Sequence, residues 1–120
     1  MAALLVVEDD PVQRRMMGLL LGKDFSVTVC DQFEATDYDW SQYDIVLLDV
    51  LMAVHDGPSL VRSVAARCEL MPLVVFYSAL PNELLRRETG ALSSVAPMYY
   101  LGKAGSPSIM VDTLRALCGY

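Results

Sequence analysis

Two periods alternate along the chain. Short runs rich in apolar and β-branched residues occupy positions 2–7, 25–30, 45–48, 73–77 and 95–101. Between them, apolar positions recur at helical spacing. In the third such segment Leu60, Val61, Val64, Ala65 and Cys68 line one face, while Arg62, Ser63 and Arg67 lie elsewhere. In the last, Ile109, Met110, Thr113, Leu114 and Leu117 form a stripe opposite Asp112 and Arg115. Asp10-Pro11 and Ser106-Pro107 each set a capping oxygen before a proline, which suits the first helical position. The second helical segment, 33–40, is short and contains Thr36, Asp37 and Asp39, so it is the weakest of the set. The fourth is interrupted by Gly90 and Ser93-Ser94.

Five β–α units predict an α/β fold of three layers, a doubly wound parallel five-stranded sheet with helices on both faces. The strands read as continuous apolar runs, as expected when both faces are covered. In such sheets a ligand site lies beyond the carboxyl ends of the strands, where strand order reverses. The residues at the strand ends are therefore the ones that matter.

Composition narrows the field. A length of 120 residues suits one domain, 1–120, and 54% hydrophobic residues against 20% charged excludes disorder. The net charge of -6 argues against a direct nucleic-acid surface, which needs clustered Lys and Arg. The longest apolar stretches, 16–21 and 71–80, fall short of the ~18 residues of a membrane span. Run 2–7 meets Glu8, Asp9 and Asp10 without a basic head or cleavage site, so no signal peptide is expected. Cys30, Cys68 and Cys118 are widely spaced and read as reduced thiols of a cytoplasmic protein. A single His excludes a His-rich metal site.

The strand ends carry a distinctive set. The first ends in Glu8-Asp9-Asp10, the third in Asp49 and the fourth in Ser78-Ala79, and Lys103 follows the fifth. Each residue alone has a plainer reading as a helix cap, a turn residue or a solvated charge. In a parallel sheet they converge on one edge, where clustered carboxylates repel unless a cation sits among them. Oxygen ligands without His or Cys favour Mg2+, or Mn2+ in its place. A lysine and a hydroxyl facing that ion are what a phosphoryl group requires. The chemistry indicated is phosphoryl transfer onto a carboxylate, with Asp49 at the centre. Asp10 competes with Glu8 for the acidic pair, but Asp10 before Pro11 is better explained as a helix cap.

These residues resemble the receiver domain of two-component response regulators, of the chemotaxis-regulator, flavodoxin-like (βα)5 fold with strand order 2-1-3-4-5. The resemblance covers essentially the whole chain. Glu8-Asp9 matches the acidic pair that organises Mg2+, and Asp49 after Ile45-Val46-Leu47-Leu48 matches the phosphoacceptor. Asp56-Gly57 matches the start of the third helix, Ser78-Ala79 the hydroxyl switch, and Tyr100 with Lys103 the aromatic switch and site lysine. The resemblance implies metal ligation by Glu8 (through water), Asp9, Asp49 and the Leu51 carbonyl. It also implies catalytic roles for Asp49, Lys103 and Ser78, and switch roles for Ser78 and Tyr100.

The implied partners are a histidine kinase or phosphotransfer protein and a downstream effector or output domain. A homodimer could use the face of the fourth helix, fifth strand and fifth helix. The chain ends at Gly119-Tyr120 just after the fifth helical segment, so no output domain is expected within it. Such a protein catalyses its own phosphoryl transfer and is not a turnover enzyme. The sequence departs from the family pattern at Met52-Ala53-Val54, where Met-Pro-Gly is usual, and at Lys103-Ala104, where Lys-Pro is usual. A trans Lys103–Ala104 bond is therefore expected. The resemblance implies that Leu51 and Leu80, two residues after Asp49 and Ser78, flank the approach of water to the phosphoryl group, and two apolar residues there predict slow hydrolysis. The missing prolines are the observation behind a rival, a receiver-like interaction module that works without phosphorylation, and the intact set of Glu8, Asp9, Asp49, Ser78 and Lys103 weighs against it. A flavodoxin-like electron carrier fits poorly because the first loop would repel a flavin phosphate. A haloacid-dehalogenase-like phosphatase needs Asp two residues after its nucleophile, where this chain has Leu51.

Overall fold

The computed structural model describes residues 1–50, 56–78, 87, 92, 94–102 and 106–119. Five parallel strands, β1 (Ala3–Val7), β2 (Ser26–Cys30), β3 (Ile45–Asp49), β4 (Leu73–Ser78) and β5 (Met98–Gly102), form one sheet in the order β2-β1-β3-β4-β5. Among the described residues there are three α-helices, α1 (Pro11–Leu21), α2 (Gly57–Ala65) and α3 (Pro107–Leu117).

Strand alternation splits the core in two. Leu4 and Val6 of β1, Ile45 and Leu47 of β3, and Val75 and Tyr77 of β4 pack with Met17 and Leu21 of α1 and Leu114 of α3. Leu5, Val7, Val46, Leu48, Val74 and Phe76 point the other way, toward Leu60, Val61 and Val64 of α2 and toward Trp40. Side chains two residues apart share a face, so apolar runs covered on both sides serve both cores at once. The central strand β3 is buried throughout, whereas the edge strand β2 leaves Val29 exposed.

The helix starts follow the expected caps. Asp10 Oδ1 accepts from Val12 N at 2.9 Å with Pro11 leading α1, and Ser106 Oγ accepts from Ile109 N at 3.4 Å with Pro107 leading α3. Asp56 Oδ1 accepts from Ser59 N at 2.7 Å and caps α2.

Two expectations need correction. The segment 33–40 is not an α-helix but two 3-10 turns, Ala35–Asp37 and Trp40–Gln42. A capping box opens it: Asp31 Oδ1 accepts from Glu34 N at 2.8 Å, and Glu34 Oε1 accepts from Asp31 N at 3.1 Å. Thr36 and Asp37 propagate a helix poorly, and Tyr38 turns extended. Asp39 then caps a new turn through Ser41 N at 3.1 Å, and this drives Trp40 into the core. The fifth strand starts at Met98 rather than at position 95, because Val95 and Ala96 fold back onto the Leu92 carbonyl in a turn ahead of Pro97. The fourth helical segment lies outside the described residues, apart from Arg87, which is helical, and a few residues at its end.

Candidate functional site

Strand register sets the site. Val7 pairs with Leu48, so Glu8 and Asp49 are the next residues on neighbouring strands. Asp49 pairs in turn with Tyr77 on β4, and Ser78, one residue on, pairs with Gly102. The acids of β1 and β3 thus sit side by side where the chain order of strands reverses, the place such sheets offer for a ligand.

Glu8 is 5% exposed and Asp49 9%. Such burial is costly for a carboxylate unless donors meet it. Tyr77 Oη donates to Glu8 Oε2 at 2.6 Å, and Asp10 N donates to Glu8 Oε1 at 3.2 Å. Both of these donors are neutral groups, a phenol and a backbone amide. Burial first, then the bond to Glu8, raises the Tyr77 phenol above its ordinary value, so it remains a donor at neutral pH.

Asp9, half-buried, is met from the turn just after β2. Gln32, only 2% exposed, donates from Nε2 to Asp9 Oδ2 at 2.8 Å and from its backbone N to Oδ1 at 3.2 Å. The capping box at Asp31–Glu34 holds the backbone of Gln32 in place. Arg14, one turn into α1, donates to the Glu8 carbonyl at 2.9 Å and to the Asp9 carbonyl at 3.4 Å, bracing the loop. Asp10 is exposed and caps α1, which separates its role from that of Glu8.

The start of α2 closes against the end of β3. Gly57 N donates to the Val50 carbonyl at 2.8 Å. A Cβ at Gly57 would lie 2.5 Å from the Asp49 carbonyl oxygen and 3.0 Å from the Phe76 ring, so only glycine permits this approach. Tyr100 is half-buried on β5 with its ring stacked on Phe76, centroids 6.3 Å apart.

The sequence expectations meet this geometry unevenly. Glu8, Asp9, Asp49, Ser78 and Tyr100 all lie at or near the carboxyl ends of their strands. Leu51, Ala79, Leu80, Lys103 and Ala104 lie outside the described residues, as do the bond after Lys103 and the loop at Met52-Ala53-Val54. Among the described residues, no three His, Cys, Asp or Glu side chains converge into a set that could hold a metal ion. Asp9 is engaged by Gln32, and the Leu51 carbonyl of the expected ligand set lies outside the described residues. The donor chemistry still suits Mg2+, which takes one or two carboxylates and keeps water for the rest. Sequence reasoning missed Tyr77, Gln32 and Arg14. Only Gln32 left a local trace, the Asp-x-x-Glu capping box that fixes its position just after β2.

No family model matches the sequence, and no curated protein sequence matches it. Solved structures match over nearly the whole chain. The BeF3-activated receiver domain of DrrB superposes with a TM-score of 0.77 at 19% identity, covering 100% of this chain and 99% of that one. The chemotaxis response regulator CheY4 of Vibrio cholerae gives 0.78 at 21% identity, covering 98% of each chain. The fold is that of a receiver domain. A two-component response regulator from Clostridium difficile repeats the match, with a TM-score of 0.79, 18% identity and coverage of 99% and 97%. In this receiver fold the doubly wound sheet and its order agree with the sequence expectation. No helix among the described residues is long and apolar enough to cross a membrane.

Proposed function

We propose that this receiver accepts a phosphoryl group on Asp49 from the phosphohistidine of a histidine kinase or phosphotransfer protein. The observation that carries the reading is the register that sets Asp49 beside Glu8 at the switch point of a receiver sheet. An Asp49 carboxylate oxygen forms the new bond to phosphorus while the phosphorus–nitrogen bond breaks. The ring nitrogen leaves with that electron pair. Glu8, Asp9 and Asp49, with the Leu51 carbonyl, would hold Mg2+ or Mn2+, which when bound neutralises charge on the transferring group. Burial of Asp49 and the bracing of its neighbours by Tyr77, Arg14 and Gly57 supply positioning, most of what a protein contributes to this step.

In this reading Lys103 pairs with a phosphoryl oxygen and Ser78 bonds another. Tyr100 then turns into the vacated space, which changes the face an effector, output domain or second copy would read. The chain is a stoichiometric acceptor in the cytoplasm, not a turnover enzyme. The BeF3-activated state of the DrrB receiver supports the reading by fold likeness. Incubation with acetyl phosphate and Mg2+, followed by intact mass, tests it. The expected result is a gain of one phosphoryl group that Asp49→Ala abolishes; full labelling of Asp49→Ala would overturn the assignment.

A further inference from the structure

The bond between Tyr77 and Glu8 joins residues 69 apart in sequence and two strands apart in the sheet. β1 and β4 flank β3, so the phenol reaches across the end of the strand that carries Asp49. Neighbouring strands lie about 4.8 Å apart, so spanning two of them takes a side chain as long as tyrosine meeting one as long as glutamate. Tyr77 is also the register partner of Asp49, so one side chain stands next to one acid and holds the other. Its ring is fixed within the core of Met17, Leu101 and Leu114, which leaves the hydroxyl little freedom. The bond occupies Oε2 of Glu8. Oε1 accepts only a long bond from Asp10 N among the contacts described, and a carboxylate oxygen has capacity for more than one partner.

We infer that Tyr77 is a positioning residue for the cation site, holding the Glu8 carboxylate in one orientation and so setting how tightly Mg2+ binds. The inference rests on the proposed function, in which Glu8 serves the cation. Groups that orient metal ligands from behind typically change affinity by 10–100-fold when removed. Tyr77→Phe keeps the ring and its packing and removes only the hydroxyl.

The experiment titrates Mg2+ calorimetrically into the full chain as wild type, Tyr77→Phe, Glu8→Gln and the double variant, with thermal melts in EDTA alongside. Tyr77→Phe is expected to bind Mg2+ about tenfold more weakly. In the Glu8→Gln background it should add no further loss, because it acts through Glu8. Val64→Ala, a cavity in the core on the opposite face of the sheet from Tyr77, should lower the melting temperature and leave Mg2+ affinity unchanged, which separates positioning from mere stability. If Tyr77→Phe does not fold, the wild type still decides: saturating Mg2+ should produce a near-ultraviolet tyrosine difference spectrum that Glu8→Gln removes, and no such difference overturns the inference. Equal affinity of Tyr77→Phe and wild type, or a full additional loss in the double variant, overturns it while leaving the proposed function standing. A wild type that binds no Mg2+ overturns both.

Discussion

Among the described residues, one face of the sheet is covered by two helices of 11 residues each, α1 and α3; the other carries one helix of 9 residues, α2, and two 3-10 turns of 3 residues each. On the first face Met17 and Leu21 of α1 and Leu114 of α3 pack on the sheet together with Phe25. The second includes Trp40, the largest of the fully buried side chains among the described residues. Trp40 is fully buried, and its Nε1 donates to the Ala35 carbonyl at 2.9 Å, tying one 3-10 turn to the other. Arg67 of the segment after α2 donates to the Thr36 carbonyl at 2.7 Å and closes the outside of the same loop. Covering a sheet face takes buried apolar area and satisfied backbone groups, and a helix is only the commonest way to provide them. The turn-covered face also supplies Gln32 to Asp9, so its irregularity bears directly on the site.

Removing the Trp40 side chain should have the largest effect. Trp40→Ala should cost about 3–5 kcal/mol in urea unfolding, through lost burial, the cavity and the orphaned Ala35 carbonyl. Hydrogen exchange should report it locally: amides of residues 35–42 exchange sooner than those of α2 in the wild type, and in Trp40→Ala they lose protection before any strand does. Equal protection across the two segments would show that the turns are as well held as the helix. Leu114→Ala should cost less, about 3 kcal/mol, since its neighbours on the helical face can partly relax into the space. Its exchange pattern should change without a local focus. A loss exceeding that of Trp40→Ala would reverse the contrast between the faces.

The smallest expected effect joins the turn-covered face to the site. Gly57→Ala places a methyl group against the Asp49 carbonyl, and backbone cannot yield as a side-chain tip does. The strain should cost about 1–3 kcal/mol. It should also slow acetyl phosphate labelling of Asp49 beyond what the stability loss explains. Wild-type labelling in a destabilised Gly57→Ala would mean that the close approach of α2 holds the fold and not the acceptor.

Local signals were legible in the chain. Apolar runs marked all five strands, prolines behind Asp10 and Ser106 marked two helix starts, and acids at the ends of runs marked Glu8, Asp9 and Asp49 as a set. Each depends on neighbours within a turn or a few strand positions, which composition and periodicity report directly. Segment 33–40 misled because its capping box is a true helix start, while Trp40 gains more from burial beneath the sheet than from continuing that helix. Residues 31–34 carried the box, but nothing nearby announced that Gln32 would face Asp9.

The sequence by itself determined that this is an alternating α/β chain with carboxylates at the carboxyl ends of its first and third strands. Tertiary structure decided what those carboxylates touch. The bond from Tyr77 to Glu8 spans 69 positions and that from Gln32 to Asp9 spans 23. Both exist only because the sheet is ordered β2-β1-β3-β4-β5, which sets Tyr77 on β4 one strand beyond the neighbour of β1 and Gln32 in the turn just after β2, beside β1. A buried charge accepts whichever donor the fold brings within hydrogen-bond reach, and that distance is set by strand pairing and not by order along the chain.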